Sequence, residues 1–377
     1  MQVQSISYTP YRIPMQGHFS TAHGSIISRE GCLIEIMTSG GIIGLGEAAP
    51  LPDFGGVSFS ETYNALVSLL PQIQSLSCQE ALEVLYAHVE AGSYPAPALY
   101  GLESALLDAW SQHEGVSLHT LLAPFETETR SRIEVNAVVG APNDDVACQE
   151  AREAIQAGFR CVKLKMGLYG SPRQEIERVA TLRAAIGEEV RLRLDANEKW
   201  TFEQACEILT ACAQYDIQYV EQPLRAFDLD GMYRLRREVQ IPIAADEAIY
   251  DSKSVRRVLE WQAADVLIIK PQFLGGLYPA RQVIQSAKEA GVECVITSML
   301  ETGISLSATL HLAAASSEIT MACGLATLAH LEDDLLSVDL PLQAGTLSVP
   351  TTPGLGIQLD RTALARYSFV PQSEVAL

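Results

Sequence analysis

The sequence lacks the features that mark secreted, membrane-spanning or disulfide-stabilised proteins. Its first residues show no basic region followed by an apolar run, the pattern of a secretory signal peptide. No uninterrupted apolar run of about 18 residues is present, so we predict no transmembrane helix. The eight cysteines are scattered and include no CxxC pair. We therefore expect reduced core cysteines in a cytoplasmic protein, and no metal cluster made from them.

Positive charge is also scarce. Lys and Arg total 26 against 46 Asp and Glu, which gives a formal net charge of −20. This balance excludes nucleic acid and anionic membranes as expected partners. A small anionic substrate would need a local group of cations, because the overall field repels it. The 377 residues, 48% of them hydrophobic, suit one large or two ordinary globular domains.

The first part of the chain shows strands and then helices. Segment 32–48 is typical of a β-hairpin with its turn at Ser39, Gly40 and Gly41. Segments 60–73, 77–89 and 100–113 have the apolar spacing of amphipathic helices. A sheet followed by helices indicates an α+β domain, which we place at residues 1–128 and call the capping domain.

From about residue 132, short apolar segments alternate with helical patterns. They recur roughly every 26 residues, as in an array of βα units. Eight such units predict an α/β fold with a (β/α)8-type TIM barrel, placed at residues 129–343. The tail, 344–377, loses this rhythm and is expected to return to pack on the capping domain. The predicted strands are 133–139, 159–165, 190–195, 217–221, 241–246, 264–270, 292–297 and 318–322.

Three acidic residues end three consecutive predicted strands. Asp195 ends the third strand, Glu221 the fourth and Asp246 the fifth. The chemistry of a (β/α)8 barrel lies at the carboxyl ends of its strands, so these side chains should lie side by side. Three ionised carboxylates cannot share a site without a cation. Hard oxygen ligands predict Mg²⁺, for which Mn²⁺ can substitute.

Lysines flank this predicted metal site. Lys163 and Lys165 are two residues apart on the second strand and therefore face the same way. Lys270 ends the sixth strand, diametrically opposite in an eight-stranded barrel. Alone, the pair would suit a solvated edge strand. Together with the carboxylates, Lys165 is a candidate base, Lys270 its counterpart, and Lys163 a donor to a substrate carboxylate.

Further polar and apolar residues near these strand ends are candidates for contact with a substrate. Loops 18–25 and 50–56 of the capping domain are expected to close over the barrel mouth and exclude water. The side chains in this group are Asn197, Ser298, Met299 and Glu301.

Arg193 is the residue that fits this arrangement poorly. It shares the inward parity of Asp195, which places a guanidinium inside the barrel beneath the metal. We expect either a carboxylate partner for Arg193 or a different strand register.

Together these residues resemble the enolase superfamily, and the resemblance covers nearly the whole chain. The KxK of the second strand, the Asp/Glu/Asp set and the strand-six lysine resemble its muconate-lactonizing branch. The mandelate-racemase branch has a histidine base at the end of strand seven, where this chain reads TSMLET. His311 and His330 lie further on and are expected to be packing or surface residues. The resemblance implies a modified, enolase-like barrel and Mg²⁺-dependent chemistry.

Within the branch, several strings are similar to the o-succinylbenzoate synthase family. They are GLGEAAPLPDF, ALYGLESALLDA, VNAVVG, RLDANEKWT and LETGIS. This resemblance implies a carbon–oxygen lyase that dehydrates a succinyl-hydroxycyclohexadiene-carboxylate to 2-succinylbenzoate, in menaquinone or phylloquinone biosynthesis. It implies that Lys165 removes the proton α to the carboxylate, through an enediolate intermediate, and then assists loss of hydroxide. Lys270 would remain a stabilising cation.

Alternatives within and outside the branch stay open. An N-succinylamino acid racemase, or another cycloisomerase or epimerase of the branch, would use the same five residues, with Lys270 as a second acid–base group. Dipeptide epimerases of the branch carry Asp-x-Asp after strand eight, whereas this chain reads MACGLATLAH. A catalytically silent binding scaffold would be expected to have lost a ligand or a lysine, and none is missing. A homo-oligomer is compatible with the sequence.

Overall fold

The amino-terminal sheet is the first element of the chain. The structure, a computed structural model, describes residues 1–20, 24–52, 56–124 and 128–371. The sheet is antiparallel, and its three strands lie side by side in the order in which they occur along the chain. The predicted hairpin is present, and Gly41 in its turn adopts a left-handed φ of 78°. The strands are β1 (Val3–Ser20), β2 (Ser25–Thr38) and β3 (Ile43–Ala48).

Helices cover this sheet. Capping boxes fix the starts of the first two, with Ser58 paired to Glu61 and Ser77 paired to Glu80. The third helix is buried along almost its whole length because it lies between the sheet and the barrel. The helices are α1 (Phe59–Ile73), α2 (Cys78–Ala91), α3 (Ala96–His113) and α4 (Leu118–Leu122).

The barrel region contains a curled parallel sheet of seven strands, which lie side by side in the order in which they occur along the chain. After β4 (Arg132–Glu134), its strands are β5 (Ala137–Val139), β6 (Cys161–Lys165), β7 (Arg191–Asp195), β8 (Ile217–Glu221), β9 (Ile243–Ala245), β10 (Val266–Ile269) and β11 (Glu293–Ile296). The accompanying helices are α5 (Asp144–Gln156), α6 (Pro172–Ile186), α7 (Phe202–Cys212), α8 (Leu229–Glu238), α9 (Ser252–Glu260), α10 (Pro271–Leu274), α11 (Leu277–Glu289) and α12 (Gly303–Ala315).

The fold class is confirmed, but two predicted strands are corrected. Segment 318–322 is not a strand, and the ring closes through single bridges, from Cys323 to Val135 and from Gly324 to Thr297. A Cβ atom at Gly324 would overlap the Thr297 hydroxyl, so this closure depends on glycine. The first predicted strand is divided into β4 and β5, because β4 pairs with the tail instead of the barrel.

The tail contacts both parts of the molecule. It follows β12 (Leu342–Gln343) and contains β13 (Thr346–Ser348) and α13 (Arg361–Tyr367). Strand β13 lies between β12 and β4, whereas α13 contacts β1, and Arg361 forms an ion pair with Glu35. We retain 1–128, 129–343 and 344–377 as proposed domain boundaries.

Buried carboxylates of the capping domain hold the starts of two barrel helices. Glu103 accepts hydrogen bonds from the backbone N–H groups of Leu277 and Tyr278 at the start of α11. Glu47 accepts from the N–H and hydroxyl of Thr302 and from the N–H of Ser305 at the start of α12. A negative charge at a helix amino terminus is stabilising. These contacts therefore fasten the capping domain to the barrel.

Two expectations from composition can be compared with the structure. Seven of the eight cysteines are buried and Cys206 is half-buried, and all eight are free thiols. Across the described residues, no helix combines the length and the apolar character needed to cross a membrane.

Strand β3 and helix α3 approach so closely that β3 needs glycine. A Cβ atom at Gly46 would overlap the carbonyl oxygen of Gly101 on the helix. We therefore expect Gly46→Ala to force the helix away and to lower the free energy of unfolding by about 1–3 kcal/mol. Gly40→Ala is the matched control, since its Cβ atom would meet one atom at 4.0 Å. Equal urea midpoints for the two variants would contradict this account.

A buried histidine pair joins α4 to α12. The Nδ1 atoms of His119 and His311 lie 3.1 Å apart, and Nε2 of His311 lies 3.0 Å from the carbonyl oxygen of Leu355. Burial lowers the pKa of His311 to about 4 and also lowers the pKa of His119. His311 is thus a core residue, as expected.

This pair predicts a loss of stability in acid. Because the pKa of His311 is lower in the folded state, the unfolded chain binds more protons than the folded chain between about pH 6.5 and 4. The contribution of the neutral His311 side chain to the free energy of unfolding therefore falls as the pH falls through this range. We expect His311→Gln to be less stable than wild type at pH 8, with the gap narrowing by up to about 3 kcal/mol toward pH 4.5. Urea unfolding at several pH values measures it, with exposed His113→Gln as control. A gap that does not change with pH would be inconsistent with a buried neutral pair.

Candidate active site

Three buried carboxylates form a row at the carboxyl ends of adjacent strands. Asp195 and Glu221 are direct partners in the β7–β8 register, and Glu221 is next to Ala244 of β9. Asp246 follows two residues after Ala244. The three residues are 1%, 2% and 3% exposed, respectively. Strand order alone therefore places three acidic groups together where water can hardly reach them.

Lysine ammonium groups neutralise this row. Lys165 Nζ donates to Asp195 Oδ2 at 2.7 Å, and Lys163 Nζ lies 3.0 Å from Glu221 Oε1 and 3.3 Å from Asp195 Oδ2. At the other end of the row, Lys270 Nζ forms an ion pair with Asp246. Lys165 and Lys270 therefore stand at opposite ends of the carboxylate row.

The electrostatics of the row reflect strong burial and close charges. Burial, reinforced by the charge of Asp195, raises the pKa of Glu221 to about 7. Burial alone would lower the pKa of Lys163, but Glu221 and Asp195 outweigh it and hold that pKa well above its usual value. Burial would raise the pKa of Asp195, but Lys165 and Lys163 hold it below its ordinary range. The site is thus an alternating set of charges.

The donor set suits a hard divalent cation. Three carboxylates on neighbouring strand ends supply oxygen ligands, which Mg²⁺ prefers. Within the described ranges, no three acidic, histidine or cysteine side chains already converge on one point, because lysine ammonium groups lie among the carboxylates. Asp195, Glu221 and Asp246 would therefore hold the ion after a rearrangement of side chains.

A small cavity opens beside this row. Its volume is about 70 Å³, so side chains or loops must shift to admit a substrate of amino-acid size. The charged residues already described share this cavity with uncharged residues. These come from the region around β5, from the loop after β11, from the segment that closes the ring by single bridges and from the capping domain. These are Leu51, Asn136, Val138, Thr297, Ser298, Met299, Leu300, Gly324, Ala326 and Thr327.

The predicted substrate-contact residues divide into two groups. Ser298 and Met299 line the cavity, whereas Asn197 and Glu301 lie outside its lining. Glu301 accepts hydrogen bonds from the N–H of Met299 and from the hydroxyl of Ser298, so it braces the loop after β11. Asn197 accepts from Lys165 Nζ at 2.8 Å. Beside this cavity both residues support their neighbours, and their contact with a substrate stays a prediction.

The sequence patterns do not identify several residues that line the cavity. Asn136 and Val138 have the same parity along the first strand, a signal obscured because that strand is divided. Leu51 comes from the capping domain and has no local sequence signal. The predicted cap loops fall partly outside the described residues, at 21–23 and 53–55.

Arg193 keeps the predicted register, and none of the described residues pairs a carboxylate with it, so neither of the two expected explanations holds. It lies opposite Lys163 in the β6–β7 ladder. Its guanidinium donates to the side-chain oxygens of Gln218 and Asn136 and to the carbonyl oxygen of Ala322, and it lies 4.8 Å from the Tyr219 ring centroid. Neutral oxygens and an aromatic face therefore solvate this buried cation.

The capping domain also holds a strained part of the cavity wall. Leu300 has a left-handed φ of 62°, unusual for a bulky residue. Arg29 of β2 donates to the carbonyl oxygens of Leu300, Pro50 and Ala49. One buried guanidinium thus joins the capping domain to the loop after β11, and maintains Leu300 in this conformation.

Family comparisons account for most of the chain. The family described as "Mandelate racemase / muconate lactonizing enzyme, N-terminal domain" matches residues 5–123. The family described as "Enolase C-terminal domain-like" matches residues 147–363. These two matches correspond to the capping region and the barrel described above.

Individual relatives share the same architecture. The L-Ala-D/L-Glu epimerase of Bacillus subtilis is 30% identical over 95% of this chain and 97% of its own. The N-succinyl-L-Arg/Lys racemase of Bacillus cereus is 26% identical over 97% of each chain. The o-succinylbenzoate synthase of Thermobifida fusca is 36% identical, but over 58% of this chain and 67% of its own.

Among solved structures, a dipeptide epimerase from Enterococcus faecalis in complex with Mg and the dipeptide L-Leu-L-Tyr superposes with a TM-score of 0.87. It is 29% identical, and the match covers 95% of this chain and 99% of that one. The chain therefore belongs to the enolase superfamily, with the N-terminal and C-terminal domains of its mandelate racemase and muconate lactonizing enzyme group.

Proposed function

We propose that this enolase-superfamily enzyme catalyses proton transfer between the two faces of an α-carbon next to a carboxylate, as a racemase or epimerase. The observation that carries the proposal is the pair of lysines, Lys165 and Lys270, at opposite ends of one buried carboxylate row. Two bases on opposite sides of a carbon are what a 1,1-proton transfer requires. Relatives that match nearly the full chain, including the Bacillus subtilis epimerase and the Bacillus cereus racemase, support it.

The metal set provides the electrostatic part of this chemistry. Mg²⁺ held by Asp195, Glu221 and Asp246, or Mn²⁺ in its place, would stabilise the negative charge that develops on a substrate carboxylate. Lys163 is held as an ammonium group by Glu221 and Asp195 and can donate to the same carboxylate. The metal ion and the Lys163 ammonium group would thus attract an anionic substrate to this site despite the negative net charge of the chain.

The lysines would then share the proton transfer. Lys165, in its neutral form, removes the α-proton from one face, and Lys270, as an ammonium group, supplies a proton to the other face. In the reverse direction the roles exchange. Asp195 and Asp246 hold the two ammonium groups by ion pairs and would release them as the substrate carboxylate and the cation enter.

The lining of the cavity indicates a substrate without a free ammonium group. Outside the predicted metal ligands, the described cavity lining carries no carboxylate. After the position of the predicted eighth strand it presents Gly324, Ala326 and Thr327. A buried ammonium group without a counter-ion would be costly. We therefore propose an N-acylated amino acid, with N-succinylamino acids as the first class to assay.

Dehydration of the succinyl-hydroxycyclohexadiene-carboxylate is the second candidate. The same uncharged lining suits that substrate, and the Thermobifida fusca synthase has the highest identity among the relatives described above, although over part of the chain. In this reaction Lys165 would remove the proton and then assist departure of hydroxide on the same face. Lys270 would act as a charge alone.

Metal dependence is the first prediction from this site. We expect EDTA to abolish turnover and Mg²⁺ or Mn²⁺ to restore it. Glu221→Gln should weaken Mg²⁺ binding by about tenfold or more in calorimetry, because one of three anionic ligands is lost. The same change at exposed Glu207 is the matched control. Full turnover of Glu221→Gln in metal-free buffer would contradict the assignment of Glu221 as a ligand of a required metal ion.

The second prediction separates the two candidate reactions. Arginine keeps a cation but is a poor base. For a racemase, both Lys165→Ala and Lys270→Arg should lose racemisation of N-succinylamino acids, followed by NMR in D₂O. For the synthase, Lys270→Arg should retain measurable dehydration whereas Lys165→Ala should not.

Lys288→Ala, at an exposed position, is the control for both reactions. If wild type dehydrates the cyclohexadiene efficiently and leaves N-succinylamino acids unchanged, the racemase proposal fails and the synthase takes its place. Full racemisation by Lys165→Ala would contradict both mechanisms.

A further inference from the structure

A line of hydrogen bonds runs behind Lys165, outside the cavity lining. Lys165 Nζ donates to Asn197 Oδ1 at 2.8 Å, and Asn197 Nδ2 donates to Glu247 Oε1 at 2.9 Å. Glu247 Oε2 is buried and makes no hydrogen bond in the part of the chain that the structure describes. The proton-transfer mechanism uses neither Asn197 nor Glu247, although both are held close to its base.

The backbone is strained to place this amide. Asn197 has φ = 42° and the next residue, Glu198, has φ = 65°. Asparagine tolerates this left-handed region better than most residues, but two in succession cost free energy. Hydrogen bonds maintain the turn, from the Asn197 N–H to Asp195 Oδ1 at 3.2 Å and from the Glu198 N–H to the Gln222 carbonyl oxygen at 2.8 Å.

The partners of the amide determine which way it points. An amide has a donating end and an accepting end, whereas an ammonium group can only donate. The Lys165 ammonium group therefore attracts Oδ1 of Asn197, and Nδ2 is left to donate to Glu247 Oε1. An acceptor fixed against one N–H of Lys165 limits rotation of its amino group and sets where its lone pair can point.

We propose that Asn197, held in place by Glu247, is a positioning residue that orients Lys165 toward one face of the substrate. The hydrogen bonds of Asn197 go to Lys165, Glu247 and Asp195. Lys270 is paired with Asp246, at the other end of the carboxylate row. This inference rests on the two-base proton transfer proposed above, and it predicts an asymmetry between the two faces.

The asymmetry can be measured by following loss of the α-proton in D₂O, starting separately from N-succinyl-L-phenylalanine and N-succinyl-D-phenylalanine. Lys165→Ala identifies the enantiomer whose proton Lys165 removes. Asn197→Gly deletes the amide and tolerates the left-handed φ. We expect it to slow exchange from that enantiomer on the order of 10²-fold, as for a misplaced catalytic group, with exchange from the other near the wild-type rate.

A second variant keeps the shape but relaxes the orientation. Glu247→Gln leaves an acceptor in place, but its own amide can present either end to Asn197. A smaller loss on the same face is therefore expected. Calorimetry should show unchanged Mg²⁺ affinity for both variants, and Glu207→Gln serves as the exposed control.

Each remaining outcome is informative. Equal slowing from both enantiomers, or slowing from neither, would overturn the positioning role. If wild type exchanges neither enantiomer but dehydrates the cyclohexadiene, the racemase proposal fails separately. Lys165 is then the single base, and Asn197→Gly should lower kcat on the order of 10²-fold with little change in KM. An unchanged kcat there would overturn the positioning role, and turnover of neither substrate would overturn both proposals.

Discussion

Three carboxylates buried side by side are the constraint on which the rest of the site depends. Asp195, Glu221 and Asp246 are close because parallel strands in register end at the same edge. Mutual repulsion and the loss of water would make such a row costly without cations. The lysines of β6 and the lysine after β10 supply positive charge at its two ends. A row that must be neutralised can equally be neutralised by a divalent ion, and that exchange would free the lysines to act as acids and bases.

The capping domain contributes through the same kind of interaction. Its side chains Glu47 and Glu103 accept hydrogen bonds from backbone N–H groups at the amino termini of barrel helices. Arg29 in turn uses backbone carbonyl oxygens, among them that of the strained Leu300 in the cavity wall. The hydrogen bonds of Arg29 therefore couple the position of the capping domain to that of the loop after β11. A change of specificity made in either part would be expected to affect the other.

Sequence patterns predict some features of this site and miss others, because each pattern reports on whole strands and not on single contacts. Alternation and strand order correctly bring Lys163, Lys165 and the acidic row together, because parity and register act along whole strands. They fail at the eighth predicted strand, where isolated bridges at Cys323 and Gly324 close the ring instead of a continuous ladder. Strand parity also predicts the face of the sheet on which a side chain lies, but not which side chain it contacts. It predicts that Asn197 faces the site, but not that Lys165 lies against its amide.

The choice between racemase and synthase is difficult for a physical reason. Both reactions begin with removal of a proton next to a carboxylate, and the row of charges serves that step alone. The two reactions differ in whether a proton is delivered to the opposite face of the α-carbon. That delivery depends on Lys270 and on which part of the substrate the uncharged lining places next to Lys270. Lys270 lies 5.6 Å from the ring centroid of Phe273, so an aromatic face bounds one side of it. The decision therefore lies in how a substrate is oriented between the two lysines, and the residues that orient Lys165 and Lys270 bear on it more than the metal ligands do.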